Sequence, residues 1–156
     1  MTGVHRYEAR ILWLRNGVTF TDNRYHRAHE WSFDGGVTVP ASASPSVVRL
    51  PFSRADAIDP EEALVAAASS CHMLSFLFLA AKRGFVVDSY TDNAVGVMEP
   101  NAAGRSYISR ITLRPAIAFT AERVPDAAEL DALHHAAHDD CYIANSIKAE
   151  IVVEAP

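Results

Sequence analysis

Polar and apolar residues partly alternate from Tyr7 to Leu14, the period-two pattern of a half-buried strand, and the run stops at Asn16-Gly17, a pair suited to a tight turn. A second short apolar run, Val18 to Thr21, ends at Asp22-Asn23. Arg24 to Phe33 alternates charged and aromatic residues, and Asp34-Gly35-Gly36 reads as a hairpin turn leading into Val37-Thr38-Val39. Pro40 to Ser53, with three prolines and several serines, reads as a loop.

The period then changes. Asp59 is placed to cap a helix, Pro60 suits its first position, and Glu61 and Glu62 lie beside the positive end of the helix dipole. The pattern predicts a helix to about Lys82-Arg83, with Gly84 as its C-terminal cap. At ~1.5 Å per residue it is a rod of roughly 35 Å. Leu64, Val65, Met73, Leu74, Phe76, Leu77, Phe78 and Leu79 make it apolar on nearly every face, so it is expected to be wrapped on all sides. A chain of 156 residues can hardly enclose such a rod alone, which points to a sheet curled round it and to a second subunit.

Beyond Gly84 the pattern predicts a strand through Ala94 to Met98, a turn over Pro100 to Gly104, and a long strand from Tyr107 to Phe119 interrupted at Pro115. Pro125 and Asp126 open a second helix carrying Leu130 and Leu133 on one face and ending near His138-Asp139-Asp140, and Lys148 to Glu154 is a last strand. The order is strands, long helix, strands, helix, strand. It defines an α+β fold in one domain over residues 1–156, without internal repeat or linker.

Composition narrows the class. With 49% apolar and 21% charged residues, the chain is globular rather than disordered. A formal charge of −5 and scattered Lys and Arg argue against a nucleic-acid partner. The N-terminal residues lack the apolar core of a secretion signal, so a cytoplasmic location is expected. Leu64 to Ala81 is as long as the shortest membrane spans, but Ser69, Ser70, Cys71, His72 and Ser75 dilute it, and it reads as a core helix rather than a membrane segment.

Two cysteines are too few for a disulfide scaffold, so each is either a small buried residue or a redox group. Cys71 sits at mid-helix within the polar patch Ser69 to Ser75, where buried unpaired groups are costly. Cys141 follows Asp139-Asp140 at a helix-to-strand junction, where a side chain can face a cleft. Glu61 lies ten residues before Cys71, about 80° round the helix and roughly 15 Å along it, so it cannot touch the thiol directly but could anchor a long side chain that does. His134 and His138 share a helix face and raise the question of a metal, but no CxxC or HExxH frame accompanies them. Such clusters are usually solvated, and no metal or cofactor is expected. His72 reads as a satisfied core histidine pointing about 100° away from Cys71. Trp13, Trp31 and Tyr90 read as core or interface aromatics.

Asp59-Pro60-Glu61-Glu62-Ala63-Leu64 followed by Ala66 to Cys71 resembles the helix start of the OsmC/Ohr family, whose peroxidatic cysteine lies ten residues after the glutamate. Cys141-Tyr142-Ile143-Ala144-Asn145-Ser146 resembles the family's resolving cysteine and its turn. The resemblance covers nearly the whole chain in element order. It implies an intertwined homodimer in which curved antiparallel sheets wrap long central helices. It also implies reduction of organic hydroperoxides, with an arginine held by the glutamate beside the peroxidatic thiol. Asn23-Arg24-Tyr25-His26-Arg27-Ala28 resembles the family's arginine stretch, making Arg24 the expected activator and Arg27 the fallback. Residues three apart on a strand face opposite ways, so both cannot serve one thiol without a bulge. Asp22-Asn23 in place of glycines, Tyr142 in place of a proline and His72 after Cys71 mark a divergent branch.

The resemblance implies a catalytic set of Cys71, Cys141, Arg24 and Glu61. A thiol near pKa ~8.5 is shifted upward by an apolar site, and an adjacent guanidinium reverses that shift. An arginine buried there needs Glu61 as its partner. Cys71 would become a sulfenic acid and condense with Cys141, and a dithiol reductant would restore both. Met73, Leu74, Phe76, Phe78 and Trp31 favour an alkyl or lipid-like hydroperoxide. The alternative is a non-catalytic dimer of the same fold that binds an apolar ligand or a partner.

Overall fold

The computed structural model describes residues 3–120 and 122–154. The chain forms two compact units, Met1–Ala63 and Leu64–Pro156.

The first unit is a three-stranded antiparallel sheet of β1 (Ala9–Leu12), β2 (His29–Phe33) and β3 (Thr38–Ala41), in that order. Asn16 and Gly17 both take positive φ, 51° and 78°, as a tight turn requires. The expected strand at Val18 to Thr21 does not form. β1 pairs instead with β2, with Ala9 opposite Phe33 and Leu12 opposite Glu30. The chain between them folds on its own aromatic rings: Phe20 stacks on Tyr25 at 4.5 Å, and Trp13 meets Tyr25 edge-on at 5.4 Å. The hairpin at Gly35-Gly36 joins β2 to β3 as expected. Pro40, expected in a loop, ends up inside β3, an edge strand of the sheet, where its missing N–H does no harm.

The long helix α1 (Pro60–Lys82) has the predicted ends. The Asp59 carboxylate accepts from the Glu62 N–H at 2.8 Å, while Glu62 reaches back to the Asp59 N–H at 3.4 Å, a capping box. At the far end Gly84 takes φ 78°, and the Phe85 N–H donates to the Ala80 carbonyl, closing the helix in a Schellman turn.

In the second unit, β4 (Val87–Asp92) pairs with β7 (Pro115–Phe119), and β5 (Val95–Pro100), β6 (Ser106–Leu113) and β8 (Glu150–Val153) form a three-stranded sheet. The long strand expected from Tyr107 to Phe119 is thus two strands in different sheets. Only Arg114 separates them, and its N–H donates to the Asp92 carboxylate at 2.6 Å. β6 and β8 run parallel, so the sheets are not all antiparallel as expected. The helix α2 (Ala127–Asp140) opens with a capping box between Asp126 and Glu129. The two apolar clusters are Ala68, Ile111 and Leu113 under α1's first half, and Phe76, Ala80, Phe85, Leu133 and Ala137 under its second.

α1 is not enclosed on all sides. Its buried residues, Ala68, His72, Phe76 and Ala80, form a single stripe at four-residue spacing. Leu74 and Phe78, on another face, remain 61% and 65% exposed. The helix is long and apolar enough to cross a membrane, with only 22% of its most apolar stretch buried. A single chain supplies core for one side of it.

Candidate functional site

Cys71, half-buried at the middle of α1, and Cys141, fully buried as the C-terminal cap of α2, have side chains near enough for Cys71 to influence the Cys141 thiol. Both are free thiols. Cys141 is fixed by the residues that follow it. The Ala144 N–H donates to its sulfur at 3.3 Å, opening a single 3₁₀ turn over Ala144–Ser146. The Asn145 side-chain amide donates to the Cys141 and Asp139 carbonyls at 3.0 and 2.9 Å, so the turn is clamped to the end of α2. Burial pushes the Cys141 thiol above its ordinary pKa, and the neighbouring Cys71 thiol pushes the same way, while the N–H groups of Ala144 and Ile143 pull it back. Cys141 is therefore held as a protonated thiol in the reduced protein.

Beside the pair runs an open groove of ≈ 560 Å³, lined by Leu74, Ser75 and Phe78 of α1 and by Asp140, Tyr142 and Asn145. Its walls are partly apolar, and its rim carries two carboxylates, Asp139 and Asp140.

In the first unit the expected ion pair between Arg24 and Glu61 is not formed: among the described residues neither Arg24 nor Arg27 bridges to Glu61. Arg27 is engaged elsewhere. Its guanidinium stacks 3.8 Å from the Tyr25 ring centre and donates to the Asn23 side chain at 2.6 Å and to the Tyr25 carbonyl. The Arg24 guanidinium lies 6.0 Å from the Phe52 ring and has no hydrogen bond among the described residues. One Glu61 carboxylate oxygen is buried without a partner among the described residues. Two of the four expected residues are thus brought together, Cys71 with Cys141, and two stand unpaired. Trp31 turns its N–H to His29 Nε2 at 2.9 Å.

One of the histidines departs from expectation. His134, expected at a solvated surface, is buried, and its Nδ1 lies 3.1 Å from Nε2 of the equally buried His72. The rings are nearly parallel at 10°, and Phe76 packs against His134 at 4.7 Å. The sequence carried the signal: Leu130, Leu133, His134 and Ala137 follow one helical stripe, so His134 shares the apolar face. Burial, with smaller contributions from His134 and His138, lowers His72 to about 4. His134 is lowered too, again by burial first, against the opposing pull of Asp131. His135 is exposed and pairs with Asp131 at 3.3 Å. Among the described residues no three His, Cys, Asp or Glu side chains gather as a metal site. Asp92, at the end of β4, ties the site to the sheet, accepting from the Ser69 hydroxyl at 2.5 Å and from the Arg114 N–H.

A mixed fold in which a central apolar helix presents a cysteine to a second cysteine at the end of another helix defines the class. The chain belongs to the OsmC-like protein family, whose sequence profile matches residues 53–155. It is similar over its whole length to the structure of an OsmC-like protein of unknown function from Vibrio cholerae, with 47% identity, a TM-score of 0.95, and 98% of this chain and 100% of that one covered. More distant structures share the fold. An organic hydroperoxide resistance protein from Elizabethkingia anophelis is 16% identical, with a TM-score of 0.72 over 99% of this chain and 96% of that one. An OsmC-like protein from Mycoplasma pneumoniae is 14% identical, with a TM-score of 0.73 over 97% and 96%. No curated protein matches the chain.

Proposed function

We propose that this protein is a thiol peroxidase that reduces organic hydroperoxides, with Cys71 as the peroxidatic and Cys141 as the resolving thiol. The observation that carries the proposal is the proximity of the two thiols, one at mid-α1 and one at the end of α2, near enough for Cys71 to influence the Cys141 thiol. The Cys71 thiolate attacks the distal peroxide oxygen, the O–O bond breaks, and the alkoxide leaves with a proton as the alcohol. Cys71 is then a sulfenic acid. The Cys141 sulfur displaces its hydroxyl as water, forming the disulfide, and a dithiol reductant returns both thiols by exchange. Cys141 suits the second role, because a thiol held protonated does not compete for the peroxide.

Arg24 is the guanidinium assigned to hold Cys71 as a thiolate, with Glu61 as its partner. Arg27 is already committed to Asn23 and Tyr25, whereas among the described residues the Arg24 guanidinium and one Glu61 carboxylate oxygen have no hydrogen-bond partner. The exposed face of α1 at Leu74 and Phe78 is assigned to a second copy of the chain, in a cytoplasmic homodimer. Met73 and Tyr142, close in sequence to Cys71 and Cys141, favour an alkyl or lipid-like substrate. Consumption of cumene hydroperoxide with dithiothreitol as donor is expected for the wild type and lost in Cys71→Ser; equal silence of the two overturns the assignment.

A second reading draws on the first unit, where Trp13, Phe20, Tyr25 and Ile11 line an apolar hollow of ≈ 480 Å³. A non-catalytic protein binding an apolar ligand there would show quenching of Trp13 by such a ligand and unchanged binding in Cys71→Ser.

A further inference from the structure

The contact between His72 and His134 lies outside the chemistry of the two thiols, yet each histidine belongs to a thiol-bearing helix. His72 is the residue after Cys71 on α1. His134 stands two turns before Cys141 on α2, roughly 10 Å along the axis. The remaining packing between these helices is apolar: Leu133 and Ala137 against Phe76 and Ala80. Such contacts set how close two helices lie but not how far one slides or turns along the other, because the attraction has no direction. A hydrogen bond does have direction and a narrow distance range. Among the described residues the bond from His72 to His134 is the one hydrogen bond that joins α1 to α2.

From this geometry we infer that His72 and His134 are positioning residues that set the register of α2 on α1 and so hold Cys141 at bonding range of Cys71. The inference rests on the dithiol reading above and extends it to two residues that never touch the substrate.

The chemistry of the contact supports the role. Two imidazoles facing nitrogen to nitrogen at 3.1 Å share one proton, so the bond needs both rings neutral or only one charged. Their surroundings keep them neutral. His72 is stacked on His134, with His138 of α2 and Asp92 of β4 as its other charged or titratable neighbours. His134 faces Asp131, His135 and Asp92 as well. The other nitrogen of His72, Nδ1, is buried without a partner among the described residues. A ring kept at such a site in place of leucine or phenylalanine carries a polar cost, and the directed bond to α2 is what it supplies in return.

The test uses the intact protein in glutathione redox buffers and needs no peroxide. Glutathione disulfide takes two electrons from the Cys71 and Cys141 thiols, which become a disulfide, and leaves as two glutathione thiols. The equilibrium constant reads how well the fold holds the two sulfurs together. His134→Leu fills the space without the bond. His134→Asn puts an amide where Nδ1 stood, and His72→Gln puts one where Nε2 stood. The expected order is a fall of about tenfold or more for His134→Leu, with His134→Asn and His72→Gln closer to wild type, even though leucine is the better core residue in thermal melts. His72→Leu serves as an independent copy of the loss from the α1 side if His134→Leu does not fold. A leucine variant with the wild-type constant, or asparagine and leucine falling equally, overturns the inference and leaves the dithiol reading standing. A wild type that forms no disulfide in any glutathione buffer overturns the dithiol reading and this inference with it.

Discussion

Gly96 of β5 lies so close to Val65 of α1 that a Cβ on it would stand 2.5 Å from Val65 Cγ2. No real Cβ tolerates that approach, so the absence of a side chain at 96 sets how closely α1 sits on the β5–β6–β8 sheet. Gly96→Ala is expected to cost about 1–3 kcal/mol, as overpacking does, read as a lower urea midpoint. Val65→Ala in the same chain should recover part of the loss, because the two positions share one space. An additive double mutant would refute the close-approach account.

Cys141→Ser separates the two halves of the proposed reaction. The variant should react once with peroxide, be trapped as a Cys71 sulfenic acid by a dimedone-type reagent, and over-oxidise at higher peroxide because no resolving thiol remains. Mass spectrometry of the intact chain reads each species.

Acid should weaken the fold through its buried histidines. His72 is lowered to about 4 in the folded chain, while in the unfolded chain it titrates at its ordinary 6.5. Between those values the unfolded chain binds a proton that the folded ring refuses. Stability is therefore intact above pH 6.5 and declines as pH falls toward 4, by on the order of 3 kcal/mol for this one group. His134 shifts in the same direction. Urea midpoints measured across pH 7.5 to 4.5 should fall for the wild type and fall less steeply for His72→Leu.

The bare face of α1 predicts its cover. Phe78→Glu places a charge where Leu74 and Phe78 lie exposed in the single chain. If a second copy normally covers that face, light scattering should give a dimer for the wild type and a monomer for the variant, because an unpaired charge does not enter an apolar contact at low cost.

Local signals were legible because their causes are local. Asp59, Pro60 and Gly84 placed both ends of α1, since a cap depends on residues within one turn. Asn16-Gly17 was a genuine tight turn, but it did not reveal β1's partner, because aromatic packing of Phe20 and Tyr25 outweighed the pairing of a short neighbouring run. Pro115 marked an interruption correctly, yet whether a strand continues or changes sheets depends on a residue far along the chain, Asp92, which receives the Arg114 N–H. The proximity of Cys71 to Cys141, seventy positions apart, needed the fold. The first of two adjacent histidines, 134 and 135, was misplaced because the pair was read as one polar cluster, when the helical stripe buries only one of them.

Oxidation would do more than end a turnover. A bond from Cys71 to Cys141 closes seventy residues, including four strands and all of α2, into a covalent ring. Such a closure removes freedom from the unfolded chain worth about 4 kcal/mol. The oxidised protein should thus melt at a higher temperature than the reduced one, so that peroxide exposure and heat tolerance rise together in the same molecule.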